Sequence, residues 1–291
     1  MSKAIRIQRH GGPEVLQLLE HTTGKPAKDE VQVAIKAVGV NFIDIYQRTG
    51  LYPVSLPFVP GGEMSGRVLA VGKDVTDFKV GDKVATATAR TGCYAEQVNV
   101  KADYLVKVPS GISEETAAAM MLKGMTAQYL LRQVYRVSQH DTILIHAAAG
   151  GVGLLMSQWA RALGATVIGT VSNDLKARLA RANGCNHVIN YQRQDFVKEV
   201  RKITKGAMLP VVYDSIGDAT FPASLDCLQN FGLFVSYGNA SGPVPPFSPL
   251  LLAQKGSLYM TRPTLFDFVR TPQQLRKVAG ELFRVVKQGK V

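Results

Sequence analysis

The segment Thr142-Ile-Leu-Ile-His-Ala-Ala-Ala-Gly-Gly-Val-Gly153 constrains the fold of this chain more than any other. Its apolar first part, Thr142–His146, reads as a strand. The strand runs into a turn of small residues, and the turn opens a helix with apolar positions Val152, Leu155, Met156, Trp159 and Leu163. That i, i+3, i+4, i+7, i+11 spacing puts them on one helical face. Gly164 is a natural C-terminal stop. Small residues let the backbone approach a pyrophosphate, and the helix N-terminus supplies unpaired N–H groups and positive potential. Against the pattern Gly-x-Gly-x-x-Gly, Ala148 replaces the first glycine while Gly150 and Gly153 match. A Gly-rich turn by itself is also what tight helix–strand packing requires. Its place after a strand and before a helix points to a bound dinucleotide.

The second strand of such a unit reads as Ala165–Val171. In a site for NAD it ends in an acidic residue that binds the ribose 2′-hydroxyl. Here it ends in Ser172-Asn173, and Asp174 is expected to cap the next helix, with Lys176 and Arg178 following. A carboxylate at the tip would repel a 2′-phosphate, whereas a hydroxyl and a lysine would hold one. NADPH is therefore expected over NADH. The alternative for Lys176 is an ordinary exposed helix lysine.

Strand candidates continue at His187–Asn190, Pro210–Ser215, Leu233–Tyr237 and Ser257–Thr261, mostly with helical segments between them. This alternation, preceded by a helix opening at Ser113-Glu114-Glu115-Thr116, predicts a parallel doubly wound sheet. Residues 1–110 read differently. Candidates at Lys3–Gln8, Val31–Ala37, Ser65–Val71, Lys83–Thr86, Tyr94–Val100 and Leu105–Val108 are short and punctuated by Gly and Pro, which predicts a compact β-barrel. One helix is expected at Asn41–Arg48, with Asn41 as N-cap. The fold class is α/β, and a length of 291 residues suits two domains.

Composition narrows the function classes. With 46% hydrophobic and 19% charged residues, the chain is neither disordered nor collagen-like. It holds no apolar run of the roughly 18 or more residues that a transmembrane helix needs, and the charged residues among Met1–Arg6 argue against a signal peptide. The three cysteines, Cys93, Cys185 and Cys227, are far apart and odd in number. They suit a reducing cytosol rather than a disulfide framework, and no paired Cys or His spacing suggests structural zinc. The net charge of +12 attracts anions such as phosphorylated cofactors. It also leaves an RNA-binding reading open, which would show as salt-sensitive affinity competed by NADPH.

Eight segments together carry a resemblance: His10–Leu16, Val40-Asn-Phe-Ile-Asp-Ile-Tyr46, Arg48-Thr-Gly-Leu-Tyr52, Pro60-Gly-Gly-Glu63, Val80-Gly-Asp-Lys-Val84, His146–Gly153, Tyr213-Asp-Ser215 and Tyr237-Gly-Asn239. In this order the chain resembles the zeta-crystallin-like quinone oxidoreductases of the medium-chain dehydrogenase/reductase superfamily. The resemblance implies a GroES-like β-barrel domain at 1–123, a Rossmann NADPH-binding domain at 124–261 with the active cleft between them, and a segment 262–291 returning toward the catalytic domain. It implies reduction of quinones with NADPH. Asn41, Tyr46 and Tyr52 match positions lining the substrate pocket, Asn41 and Tyr46 being counted also among the cofactor contacts. Thr126, Gly151, Val152, Ser172, Lys176, Tyr191, Ser215 and Asn239 match cofactor contacts, joined by Gly150, Gly153, Tyr237 and Gly238 of the quoted motifs. Leu265 and Phe266 are expected near the nicotinamide.

Zinc-dependent relatives place His before Glu where this chain has Gly61-Gly62-Glu63, so no metal is expected. Hydride transfer to a quinone needs a Lewis acid less, because the cofactor carries the hydride and the quinone accepts electrons readily. Asn41 is expected to orient substrate or ribose, or only to cap its helix. Tyr46 or Tyr52 is expected to donate a proton or stabilise an oxyanion, or only to pack the pocket wall. His146 is read as a buried structural histidine. The same resemblance implies a homodimer paired through the last sheet edge at Ser257–Thr261. It also implies a chain continuing past Val291, so that 262–291 is shortened and the barrel is expected to lack final strands and expose an edge. An enone or alkenal double-bond reductase is the near alternative, separable only by acceptor assays.

Overall fold

The structure is a computed structural model and describes residues 2–291. The chain divides into two compact units. The first comprises the chain up to Met125 together with Val269–Phe283. The second comprises Thr126–Phe268 and Arg284–Val291.

In the first unit, β1 (Ser2–Arg6) and β2 (Gln17–His21) form an antiparallel hairpin. Then follow β3 (Glu30–Val38), α1 (Phe42–Thr49), β4 (Met64–Val71), β5 (Lys83–Thr86), β6 (Gln97–Lys101), β7 (Val106–Lys107) and α2 (Glu114–Tyr129). The main sheet is antiparallel, in the order β6-β3-β4-β5-β7. β3 is an interior strand, paired with β6 on one side and β4 on the other, and its alternation buries Val31 and Val33 with Met64, Val68, Val84 and Val100. Residues 94–96, expected to begin a strand, turn toward the hairpin instead. The Ile5 amide donates to the Tyr94 carbonyl at 2.8 Å and the Glu96 amide to that of Lys3 at 2.9 Å. β2 was not legible in the sequence. Its adjacent leucines, Leu18 and Leu19, are both exposed, so no burial alternation marks it, and pairing with β1 alone defines it.

Asn41 is the extended N-cap of α1, and Gly50, at φ +85°, ends that helix. Ser113 Oγ caps α2 by accepting the Thr116 amide at 3.1 Å. Gly124 on α2 lies where a Cβ would collide with Leu282, so a glycine there allows α2 and the helix Pro272–Lys287 to approach closely.

The second unit runs β8 (Thr142–Ile145), α3 (Gly151–Ala162), β9 (Thr166–Val171), α4 (Asp174–Ala182), β10 (His187–Asn190), α5 (Phe196–Ile203), β11 (Leu209–Asp214), α6 (Phe221–Leu225), β12 (Leu228–Ser236), α7 (Leu250–Gln254), β13 (Tyr259–Thr261) and α8 (Leu265–Phe268). The last helix, α9 (Pro272–Lys287), ends in this unit. The sheet is parallel throughout, in the order β10-β9-β8-β11-β12-β13. This is the doubly wound arrangement, and its strand order reverses between β8 and β11. Leu144, Ile168, Val212, Phe221 and Phe234 are buried in its core.

Three local expectations change. The deepest face of α3 is Gly153, Met156, Ser157 and Ala160 with Trp159, while Val152, Leu155 and Leu163 are only half-buried. Close approach to the sheet favours the small residues on that face. Asn173, not Asp174, caps α4, its side chain accepting the Lys176 amide at 2.9 Å. Asp174 instead receives Asn190 Nδ2 at 3.2 Å and Arg193 at 3.0 Å. β12 begins at Leu228, five residues before the expected Leu233, because the strand carries a register irregularity with Phe231 at φ +62°. That break hides the alternation.

Cys93, Cys185 and Cys227 are all buried free thiols. Burial raises each above its usual range, Cys227 to about 12. Among the described residues, no helix is long and apolar enough to cross a membrane.

Candidate active site

The second unit gathers many of the expected residues at the C-terminal ends of its strands. After β8 the chain makes its turn with Ala147 at φ +50°. Gly150 becomes the extended N-cap of α3 without a side-chain cap of its own. The first turn of α3 carries no acidic residue, so no carboxylate of its own offsets the positive potential of its N-terminal amides. The turn depends on small residues: a Cβ at Gly153 would collide with the Ala147 carbonyl and stand 2.8 Å from Ala148 Cα. Gly150 and Gly151 are exposed and Val152 is half-buried.

Ser172 follows β9 directly, and Lys176 Nζ lies 3.3 Å from Ser172 Oγ. Tyr191 follows β10, 43% exposed, and its amide donates to the Val171 carbonyl at 3.1 Å. Ser172, Lys176 and Tyr191 thus share the end of the β9–β10 pair. Ser215 follows β11. Tyr237-Gly238-Asn239 follow β12, the Tyr237 amide donating to the Asp214 carbonyl at 2.7 Å. A Cβ at Gly238 would lie 2.6 Å from the Ser215 carbonyl oxygen, so these two loops run in contact. Burial pushes the Tyr237 hydroxyl well up from its ordinary value. Thr126 is buried on α2, and Leu265 and Phe266 lie on α8. Tyr129 of α2 stacks on Phe268 of α8 with centroids 4.5 Å apart, which joins those two helices.

Beneath the turn lies a buried polar chain. His146 Nδ1 is 2.9 Å from Thr170 Oγ1, and its Nε2 is 2.9 Å from Ser224 Oγ. Asp214 accepts the amides of Ile216 at 2.6 Å and Gly217 at 3.0 Å, and the Thr220 hydroxyl at 2.6 Å. Burial holds His146 below its usual pKa, so it stays neutral. This is a satisfied structural histidine tying β8, β9 and α6 together.

In the first unit, Asn41 caps α1, Tyr46 lies on that helix and Tyr52 in the loop after it, and the structure brings the two tyrosines together. The Tyr52 amide donates to the Tyr46 carbonyl at 3.0 Å, and the two rings are 5.1 Å apart at 57°. Asn41 is buried. Its Nδ2 donates to Glu63 Oε2 at 2.7 Å, and its Oδ1 accepts from Lys123 Nζ at 2.9 Å. Glu63 is fully buried and also accepts the Leu122 amide at 2.6 Å. Burial raises Glu63 above the ordinary carboxylate value, while Lys123 pulls it back down. Nearby, Asp44 accepts the Asn41 amide at 2.9 Å and the Tyr94 hydroxyl at 2.9 Å. Burial raises the pKa of Asp44, and burial together with the Asp44 carboxylate raises that of Tyr94. Sequence reasoning noticed Glu63 only for the residue before it, and missed Lys123, Asp44 and Tyr94. The available signal was an acidic residue between Gly61-Gly62 and the buried run Met64-Ser65-Gly66.

Gly62 offers no imidazole, and among the described residues no three His, Cys, Asp or Glu side chains cluster as a metal site would require. The donor set does not fit zinc.

Two family models match the chain: the alcohol dehydrogenase GroES-like domain over residues 27–110 and the zinc-binding dehydrogenase domain over 151–282. The chain is 50% identical to a quinone oxidoreductase of Pseudomonas aeruginosa, over all of this chain and 90% of that protein. It superposes on the crystal structure of Escherichia coli quinone oxidoreductase complexed with NADPH with a TM-score of 0.98 at 48% identity, covering 99% of this chain and 89% of the other. It is 44% identical to a 2-haloacrylate reductase of a Burkholderia species, over 99% of this chain and 89% of that one. With a GroES-like unit, a Rossmann unit and this likeness over its whole described length, the chain belongs to the quinone oxidoreductases of the medium-chain dehydrogenase/reductase superfamily.

Proposed function

We propose that this chain reduces quinones with NADPH, without zinc. The observation that carries the reading is the pairing, in one unit, of an anion-ready turn at Gly150–Gly153 with a hydroxyl and an ammonium at the tip of β9. The residues fit the cofactor. Glycine at 153 lets the start of α3 pack directly against the backbone of Ala147 and Ala148, and the exposed Gly150 and Gly151 leave the main chain there without side chains to block a pyrophosphate. Ser172 and Lys176, joined by Tyr191, suit a 2′-phosphate, and no carboxylate at the strand tip opposes it. When bound, NADPH supplies the hydride.

The other roles follow from position. Gly150, Gly151, Val152 and Gly153 hold the diphosphate. Ser215, Tyr237, Gly238 and Asn239 continue the rim at the ends of β11 and β12. Thr126, Leu265 and Phe266 serve the nicotinamide. Asn41 orients substrate or ribose, and Tyr46 serves it from the same helix, α1. Two-electron reduction to the hydroquinone needs one proton besides the hydride, and Tyr46 or Tyr52 either provides it or packs the pocket wall. Residues 1–123 form the catalytic domain, 124–261 the cofactor domain and 262–291 the segment returning to the first.

A paired titration of the purified chain with NADPH and NADH, followed by nucleotide fluorescence, tests the cofactor reading. Tighter binding of NADPH is expected, and equal or reversed affinity would overturn it. The 44% identical 2-haloacrylate reductase favours a second reading, reduction of a conjugated carbon–carbon double bond. Steady-state rates with 1,4-benzoquinone, a naphthoquinone and a simple enone separate the two. We place the protein in the cytoplasm, consistent with free buried thiols. It is expected to form a homodimer through the open edge of β13, where Tyr259 and neighbouring Phe231 are 62% and 67% exposed. Sedimentation velocity should show a dimer that Tyr259→Lys with Phe231→Lys converts to monomer.

A further inference from the structure

We propose that Glu63 and Lys123 are positioning residues that hold the Asn41 side-chain amide in one orientation, so that it presents a fixed N–H to its ligand. This rests on the reading that Asn41 serves the substrate or cofactor. A terminal amide is nearly symmetric in shape, and its two flipped states are distinguished only by the hydrogen bonds they make. Here the neighbours leave no ambiguity. Glu63 Oε2, 2.7 Å from Nδ2, belongs to a carboxylate that accepts when ionised. Lys123 Nζ, 2.9 Å from Oδ1, can only donate. Flipping Asn41 would set its NH₂ against the ammonium and its oxygen against the carboxylate. Each partner commits one end of the amide, and the capping box turns the oxygen toward the first turn of α1 as well, which leaves the second N–H of Nδ2 to meet a ligand.

The two partners are themselves held. Glu63 accepts the Leu122 amide at 2.6 Å, and Lys123 Nζ also reaches the Val40 carbonyl at 3.4 Å. A Cβ on Gly39 would collide with the Glu63 carboxylate, so the backbone at Gly39 leaves room for that group and no more. The carboxylate and ammonium are 3.5 Å apart, with the acid fully buried. A buried ion pair is a poor source of stability, since desolvation offsets the attraction. Fixing the hydrogen-bonding direction of a third residue is the role this geometry suits.

The test is a mutant cycle measured as kcat/KM for NADPH-dependent quinone reduction, with melting temperature and NADPH affinity followed alongside. The double variant Glu63→Gln with Lys123→Met leaves no unpaired buried charge, so it avoids the destabilisation expected of Lys123→Met alone. It should keep a near wild-type melting temperature yet lose about 10- to 100-fold in kcat/KM, the scale of a misplaced polar group in an active site. In an Asn41→Ala background the same pair of changes should cost nothing further. Lys123→Arg should recover much of the activity lost by Lys123→Met. If the double variant keeps wild-type kcat/KM while Asn41→Ala is damaging, or if its loss multiplies with that of Asn41→Ala, the positioning role is wrong. If Asn41→Ala is itself silent, the placement of Asn41 at the reacting site fails, and the positioning role fails with it.

Discussion

Lys176 Nζ lies 3.3 Å from Ser172 Oγ across the first turn of α4, so the tip of β9 joins a hydroxyl to an ammonium. If that pair holds the 2′-phosphate, Lys176→Met should weaken NADPH about tenfold. That is the low end for a charge-assisted hydrogen bond, as befits an exposed lysine. NADH affinity should be unchanged. Ser172→Asp should go further, repelling the phosphate while offering the ribose 2′-hydroxyl a partner, and so bring NADH level with or ahead of NADPH. Fluorescence titration of both variants with both nucleotides measures this.

The two glycines of the turn should not be equally replaceable. A Cβ at Gly150 would press on the Ala147 carbonyl oxygen at 3.1 Å and touch the Ala147 Cβ at 3.9 Å, whereas one at Gly153 collides with the backbone of Ala147 and Ala148. Gly153→Ala should therefore cost about 1–3 kcal/mol, the range for overpacking, and weaken NADPH binding. Gly150→Ala should cost clearly less. Denaturant unfolding and nucleotide titration read the two effects separately.

His146 should make stability depend on pH. Its ordinary pKa is 6.5, and burial lowers it in the folded chain. The unfolded chain therefore binds a proton there first as pH falls. The stability from this group is complete above about pH 6.5 and is lost as pH drops toward the lower folded value. Melting temperature should decline through that window, and His146→Gln should flatten this part of the decline. An unchanged slope would mean that other groups govern the acid limb.

Tyr52→Phe should lower turnover only modestly. The Tyr46–Tyr52 ring contact, with centroids 5.1 Å apart, does not depend on the hydroxyl. A loss beyond about a hundredfold, within the range for general acid–base catalysis, would instead make Tyr52 the proton donor. Single-turnover rates of quinone reduction distinguish the cases.

The parts of the fold legible in the sequence were those whose signal is local. The strand–turn–helix at Thr142–Ala162 could be read because the apolar run, the small-residue turn and Gly164 are contiguous. Asn41 as an N-cap could be read for the same reason. β2 could not, because Leu18 and Leu19 both face outward and only pairing with β1 makes a strand of them. The capping of α4 was misassigned by one residue, since Asn173 and Asp174 are both good caps and their neighbours Asn190 and Arg193 decide between them. The network around Asn41 was out of reach for a deeper reason. Glu63 and Lys123 are 60 positions apart, and nothing in either local sequence points to the other.

An enzyme that handles quinones works among electrophiles, which arylate any thiolate they can reach. Cys93, Cys185 and Cys227 are each at most 6% exposed, and burial keeps their sulfurs protonated. The folded chain therefore shows its own reagent no competent nucleophile of this kind. Where the packing puts sulfur thus removes one route by which a reactive acceptor could arylate the enzyme that reduces it.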